Sequence, residues 1–344
     1  MDDVMSLPAA LWKLARIAAL AGIALSALAH GSQAEPTKIR LSWAVAPAQL
    51  APILFSHPGL AKHLNQSYTL ETQRLAGSSV ALQALAAGEL DISPMTFNVL
   101  GPAILNAGLS DLRIIADEVR DGVEGYDTNR YMVLKSGPIQ KIEDMKGKVA
   151  AINGIGGGQD IFMRVMLRKH GLEYQRDYTI IEAQFPNMKS LLLEKKADLV
   201  VGVKPFTLDP ELQAGGRDLF TQRDAVGVTD FLFLTARTGF IEKNRAAIVD
   251  FFEDDIRATR WYMDPANHAE AAKIVSDFIK VPPERLGWIF THDDFYRDPN
   301  LTPDIGSIQQ NLDTLVDFGF IPKKIDLSKQ NDLSMVKEAA ARLK

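Results

Sequence analysis

The run K-V-A-A-I-N-G-I-G-G-G-Q-D, residues 148–160, decides how the rest of the chain is read. Residues 148–153 form a small apolar run, and glycines follow at 154, 156, 157 and 158. Beyond Gln159, I-F-M-R-V-M-L-R-K-H places apolar residues at 161, 162, 165, 166 and 167, the spacing of a helix. A short buried strand therefore runs into a glycine turn, and the turn opens a helix. The first N–H groups of that helix have no partner within it, and its dipole leaves its start partly positive. Glycine lets a ligand approach this backbone closely, so the geometry suits an oxygen anion. Taken alone, the motif reads as a plain strand-to-helix turn with no ligand. It is not a dinucleotide fingerprint, since the third glycine of G-x-G-x-x-G is missing, and no Gly-Lys-Ser/Thr makes it a P-loop.

Working outward, the first half of the chain carries the same arrangement. Residues 39–44 (I-R-L-S-W-A) alternate as a first strand, followed by Val45-Ala46-Pro47 and an expected helix through 60–64. Residues 68–75 form a second strand, and Gly77-Ser78-Ser79 opens a helix with Val80, Leu82 and Leu85 on one face, closed by Gly88. Residues 90–94 make a short buried strand, Met95-Thr96-Phe97-Asn98 the loop beyond it, and 112–117 a strand after another helix. In the second half, Tyr178-Thr179-Ile180-Ile181-Glu182 echoes Tyr68-Thr69-Leu70-Glu71, Phe185-Pro186-Asn187 stands where Gly77-Ser78-Ser79 stood, and Ala197-Asp198-Leu199-Val200 echoes Glu89-Leu90-Asp91-Ile92. A repeated strand–helix order at domain spacing predicts an α/β protein of two lobes, each a mostly parallel sheet flanked by helices. The loops after the strands gather at one edge, where open sheets bind ligands. Runs at 131–135 and 231–235 read as two strands crossing between lobes. Lobe one then comprises 35–131 plus 232–344, and lobe two 132–231. The C-terminal part reads as mostly helical, with a helix from about 305 to 318 stopped by Gly319-Phe320-Ile321-Pro322.

The chain has 344 residues, 47% hydrophobic and 24% charged, with net charge −5, enough for two separate cores. That balance, without a basic run, argues against nucleic acid as partner. Residues 1–34 read as a secretory signal peptide: Lys13 and Arg16 precede the apolar run 17–29, and Ser32-Gln33-Ala34 offers the small residues of a cleavage site before Glu35. There is no cysteine, which excludes disulfides, thiolate metal sites, cysteine nucleophiles and lipid attachment at a signal-peptide cysteine. The expected compartment is a bacterial periplasm.

The order of these landmarks resembles the periplasmic solute-binding proteins of ABC importers, specifically the nitrate/sulfonate/taurine and thiamine-precursor-like group. The residues that carry it are the first strand and turn (39–49), Gly77-Ser78-Ser79 with A-L-x-A-G-E-L-D-I, I-E-D-M-K-G-K (142–148), the glycine turn to Asp160, and the helix closed by Gly319-Phe320-Ile321. The resemblance covers essentially the whole mature chain. It implies two lobes joined by a pair of strands, closure of a cleft on one small molecule, and delivery to an inner-membrane ABC permease, with no cofactor. A monomer is expected. Lys204-Pro205-Phe206, after the second lobe's buried strand, departs from any ligand-specific pattern.

Candidate ligand contacts come from the edge loops of both lobes. Ser78 and Ser79 offer hydroxyl and backbone donors, although serine at a helix start also caps routinely. Gly157, Gly158 and Gln159 form the opposing donors. Trp43, Phe97 and Phe185 each follow a strand, where a flat ligand can be sandwiched. Thr96, Asn98 and Asn187 are polar residues of the same loops, and Gln49 lies just past the first turn. Lys204 is the cation expected at a strand's C-terminal edge, suited to a carboxylate or sulfonate; Arg130 is a weaker candidate. His292-Asp293-Asp294, near Tyr296, Arg297 and Asp298, reads as a solvated acidic loop rather than a metal cluster, because adjacent residues point apart and no second histidine lies at ligand spacing. Glu253-Asp254-Asp255 reads as the solvent face of a helix. No G-x-S-x-G or H-E-x-x-H motif supports hydrolysis, and a pyrimidine-synthase-like enzyme would want cysteine. The expected ligand is a small organic anion of sulfonate or aromatic carboxylate type; nitrate and a neutral pyrimidine remain alternatives.

Overall fold

Alternation along β1 (Thr37–Trp43) buries Ile39 and Leu41 and turns Lys38 outward. In the computed structural model, which describes residues 35–106, 108–123, 125–127 and 129–344, this strand seeds the first of two sheets. The expected signal peptide lies outside the described residues. β1 pairs in parallel with β2 (Tyr68–Arg74), from Thr37 opposite Tyr68 to Trp43 opposite Arg74, and with β3 (Ile92–Met95). Helix α1 (Ser78–Ala86) carries the chain from β2 to β3, and α2 (Phe97–Asn106) carries it on to β4 (Leu112–Asp121).

The second sheet repeats this plan with β5 (Asn129–Leu134), β6 (Val149–Ile152), β7 (Thr179–Glu182), β8 (Leu199–Val203) and β9 (Gly216–Thr221). Its helices are α3 (Gly158–Lys169), α4 (Met188–Leu193), α5 (Pro210–Gly215) and α6 (Gln222–Val226). The chain returns to the first sheet through β10 (Thr229–Arg237), then adds α7 (Thr238–Met263), α8 (His268–Ile279), α9 (Ile305–Asp317) and α10 (Ser334–Arg342). The strand orders, β2-β1-β3-β10-β4 and β7-β6-β8-β5-β9, are the same permutation.

Each sheet is mostly parallel, as expected, with one reversed strand. β10 runs antiparallel to both β3 and β4, and β5 runs antiparallel to both β8 and β9. The strand that enters each sheet from the other lobe arrives against the grain, which local sequence does not reveal.

Three local expectations change. Residues 60–64 form no helix: the segment from 51 is turns and bends ending in a single Leu64–Tyr68 bridge, because Pro52, Pro58 and Gly59, at φ +87°, interrupt it. Phe97 and Asn98 lie in the first turn of α2 instead of a loop. The 253–255 acids do not face solvent: Asp254 is fully buried, Asp255 is 9% exposed and Glu253 is half-buried. Consecutive helical residues are spread around the axis, so three in a row cannot share one solvent face.

Residues Thr37–Lys344 form one compact unit, so the two lobes rest on each other. The Phe97 ring of lobe one lies 5.4 Å from Phe162 of α3, which lies 5.7 Å from Phe231 of β10. Beside this apolar seam, Asn98 Nδ2 donates to the Gly156 carbonyl at 2.9 Å.

Candidate functional site between the lobes

The C-terminal ends of the strands of both sheets open onto one cleft of about 610 Å³. Lobe one lines it with Trp43, Gln49, Ser78, Ser79 and Thr96, and lobe two with Gly157, Gly158, Gln159, Phe185 and Lys204. The two helix starts thus share one cavity. Neither has a side-chain cap: Gly77 precedes α1 and Gly157 precedes α3. The helical bonds of the two first turns begin with Ala81 N to Gly77 O and Ile161 N to Gly157 O. Glycine at 158 permits a close approach of the lobes, since a Cβ there would stand 3.1 Å from Phe231 and 3.4 Å from Phe162.

Three of the expected contacts do not line the cleft. Phe97 is fully buried and Asn98 is 6% exposed; both are spent on the seam, because the helix starts two residues earlier than the loop reading placed it. Asn187 is exposed at the end of the 3-10 turn Phe185–Asn187, where its carbonyl accepts from Ser190 Oγ. Arg130 is engaged elsewhere, with Asp127 at 2.6 Å and Asp218 at 3.0 Å.

Other cleft residues escaped the sequence reading: Ser42, Arg74, Asn129, Asn153, Glu182, Phe231 and Phe295. Ser42, Arg74 and Asn153 stand at the C-terminal ends of predicted strands, so the edge rule that found Trp43 could have found them. Phe295 carries no local signal. It comes from the 292–298 segment, which is not a solvated loop. Asp294 is fully buried and Arg297 is 2% exposed; they pair at 3.0 Å, and Arg297 Nη2 donates to the Pro47 and Ala48 carbonyls at 2.7 and 3.2 Å. That guanidinium holds the cleft-wall loop that follows β1. Gln49 holds the same loop from the other side: its Oε1 accepts from Ala44 N at 2.6 Å, and its Nε2 donates to Glu118 Oε2 at 3.1 Å.

The lining is short of partners. Ser42 Oγ, Thr96 Oγ1 and Asn153 Oδ1 are buried without a hydrogen bond, although Ser42 and Thr96 are only 1% and 3% exposed. Buried polar atoms are normally satisfied, so these three are free to meet a bound partner. Three charged side chains complete the cleft. Lys204 is 8% exposed, its Nζ donates to the Asp293 carbonyl, and burial holds its pKa below the usual lysine value. Arg74 lies over the Trp43 ring at 5.7 Å and donates to the Ala44 carbonyl at 3.2 Å. Glu182 is exposed and accepts from Ile155 N at 2.6 Å.

No histidine is among the cleft-lining residues described, and the chain has no cysteine. Among the described residues one grouping, His63 with Asp250 and Glu253, brings possible metal-ligand atoms within 4.8 Å of one another. It lies away from the cleft, and guanidinium groups already occupy it: Arg342 is 2.9 Å from Asp250, and Arg257 is 2.6 Å from Glu253.

The NMT1-like family model matches residues 32–276. The chain belongs to the NMT1-like family. No curated protein sequence matches it. Among solved structures, the alkanesulfonate-binding protein SsuA from Xanthomonas axonopodis pv. citri, bound to MOPS, aligns with TM-score 0.68 and 16% identity, over 88% of this chain and 100% of that one. The periplasmic nitrate-binding protein NrtA from Synechocystis PCC 6803 aligns with TM-score 0.68 and 17% identity, over 90% of each. The desulfurization enzyme DSZB shares the fold too, with TM-score 0.62 and 10% identity, over 90% of this chain and 100% of that one. These likenesses establish that the NMT1-like chain has the two-lobed fold of periplasmic binding proteins.

Proposed function

We propose that this NMT1-like protein is the periplasmic substrate-binding component of an ABC importer, and that it captures a small organic anion by closing its two lobes. The observation that carries the reading is the cleft wall: orphan hydroxyls at Ser42 and Thr96 share one cavity with two uncapped helix starts and the buried cation Lys204. Uncapped N–H groups and the helix dipoles neutralise an anion without a surrounding basic surface, which reconciles an anionic ligand with a net charge of −5. A cavity of about 610 Å³ is far larger than nitrate needs. Its rings, Trp43, Phe185, Phe231 and Phe295, suit a flat organic body. Binding rather than catalysis fits a wall with neither a cysteine nor a histidine among its described residues. Closure is favoured because the ligand touches both halves. The protein works as a monomer and hands its ligand to an inner-membrane permease.

The test uses Trp43 as reporter. The mature protein is titrated with alkyl and aryl sulfonates, benzoate and nitrate, following tryptophan fluorescence and thermal melting. At least one organic anion should change the emission and raise the melting temperature. Silence across the whole panel sinks the reading.

A further inference from the structure

The cleft carries one cation on each lobe. Arg74 ends β2 of lobe one, and Lys204 follows β8 of lobe two; both line the same cavity. Many arginines of the described chain pair with a carboxylate, as Arg40 with Asp91 and Arg297 with Asp294. Arg74 and Lys204 have no carboxylate within ion-pair distance among the described residues. Each is instead held by backbone: Arg74 Nε donates to the Ala44 carbonyl and Lys204 Nζ to the Asp293 carbonyl. Such bonds fix the position of a cation without neutralising it. Arg74 is steadied further by the Trp43 ring, its strand partner.

Each cation also shares its lobe's part of the cavity with an uncapped helix start. Arg74 precedes the Gly77–Ser79 opening of α1, and the α3 opening shares the lobe-two wall with Lys204. Against these stands one lining carboxylate, Glu182, whose Oε1 is already taken by Ile155 N. Two cations and one carboxylate leave a single positive charge, and each helix start adds about half a charge more. The lining itself therefore carries net positive charge, with one cation on each lobe; Asp127, Asp293 and Asp294 act on Lys204 electrostatically but stay beyond ion-pair distance.

We propose that the ligand is a dianion: a flat apolar body with an acidic group at each end, one met by Arg74 and the α1 start, the other by Lys204 and the α3 start. An aromatic dicarboxylate or a sulfobenzoate has this form. The proposal rests on the binding-protein reading above and narrows its substrate class. It also gives closure a cause, since a bridging dianion draws together two like-charged walls that otherwise repel.

The experiment is calorimetric titration with matched probes: benzoate against the three benzenedicarboxylates, and benzenesulfonate against 4-sulfobenzoate. At least one dianion should bind about 30-fold tighter than its monoanion, as one additional charge-assisted contact implies. Arg74→Gln and Lys204→Gln should each abolish most of that preference while changing monoanion affinity less. Arg74 is exposed, so its variant provides a folded test even if the Lys204 variant misfolds. Monoanions binding as tightly as every dianion overturn the dianion proposal and leave the binding-protein reading standing. Tighter binding of 4-(aminomethyl)benzoate, whose ammonium would seek Glu182, overturns it as well. Absence of binding by every probe counts against both.

Discussion

At the scale of single residues, burial decides the charge state of several acids. Beneath the cleft loop lies a small cavity of about 30 Å³ lined by Asp117, Glu118, Asp255 and Arg297. Desolvation pushes Asp117 up to about 6, Asp255 up to about 7 and Glu118 up to about 8. Lost hydration outweighs the help of Arg120 and Arg297. The sign follows from linkage. A raised folded-state pKa costs nothing while the group is protonated in both states, and stability falls as pH rises from the unfolded value, about 4, through the folded one. The melting temperature should therefore fall between about pH 4 and pH 8, and Asp255→Asn should flatten the part of that fall below about pH 7. Thermal melts across the range decide it. A melting temperature that rises over this window would contradict the assignment of these acids as protonated.

At the scale of elements, α7 does more than cover a sheet. Asp254 on that helix accepts from Lys62 N at 2.9 Å, from His63 N at 2.8 Å and from the Tyr68 hydroxyl at 2.9 Å. Arg257 balances its charge at 2.5 Å. The irregular segment before β2, which proline keeps from becoming a helix, is thereby pinned by a carboxylate from the far end of the chain. Asp254→Ala would leave two peptide N–H groups, a buried hydroxyl and a guanidinium without their acceptor. We expect a loss of about 3 kcal/mol, in line with the breaking of other buried pairs, measured by urea unfolding. Asp254→Asn, which keeps one acceptor oxygen, should lose less; equal losses would show that the shape of the side chain matters rather than its oxygens.

At the scale of the whole molecule, the two sheets follow one permutation and rest against each other along Phe97, Phe162 and Phe231. One polar link between the lobes, beside that seam, is Asn98 to the Gly156 carbonyl, placed in the glycine turn that opens α3; Asn311 Nδ2 to the Val226 carbonyl is another. The Asn98 link exists only when the lobes are together, so it adds to the affinity of any ligand that binds the closed form. Asn98→Ala should weaken binding of the best organic anion about fivefold, the equivalent of about 1 kcal/mol, with little change in the melting temperature of the free protein. Isothermal titration beside a melting curve separates the two effects. An unchanged affinity would mean that the link does not contribute to closure.

The amino-acid sequence by itself determined the repeated strand–helix order, the glycine turn at 154–158 and the two helix openings at Ser78 and Gly158. Each follows from rules that act over a few residues: apolar periodicity, glycine's freedom and the unpaired first turn of a helix. The edge rule brought Trp43, Thr96, Phe185 and Lys204 to one cavity for the same reason. The tertiary structure alone decided that β5 and β10 run against their neighbours, that Phe97 and Asn98 serve the seam, that Phe295 belongs to the cleft wall, and that Arg297 holds the loop of that wall. It alone buried Asp254 and Asp294. The reason is physical: where a carboxylate or a ring ends depends on donors and surfaces supplied from elsewhere in the chain, such as the 192 residues that separate Asp254 from Lys62. Local spacing fixes which face a residue turns, and only packing decides what that face meets.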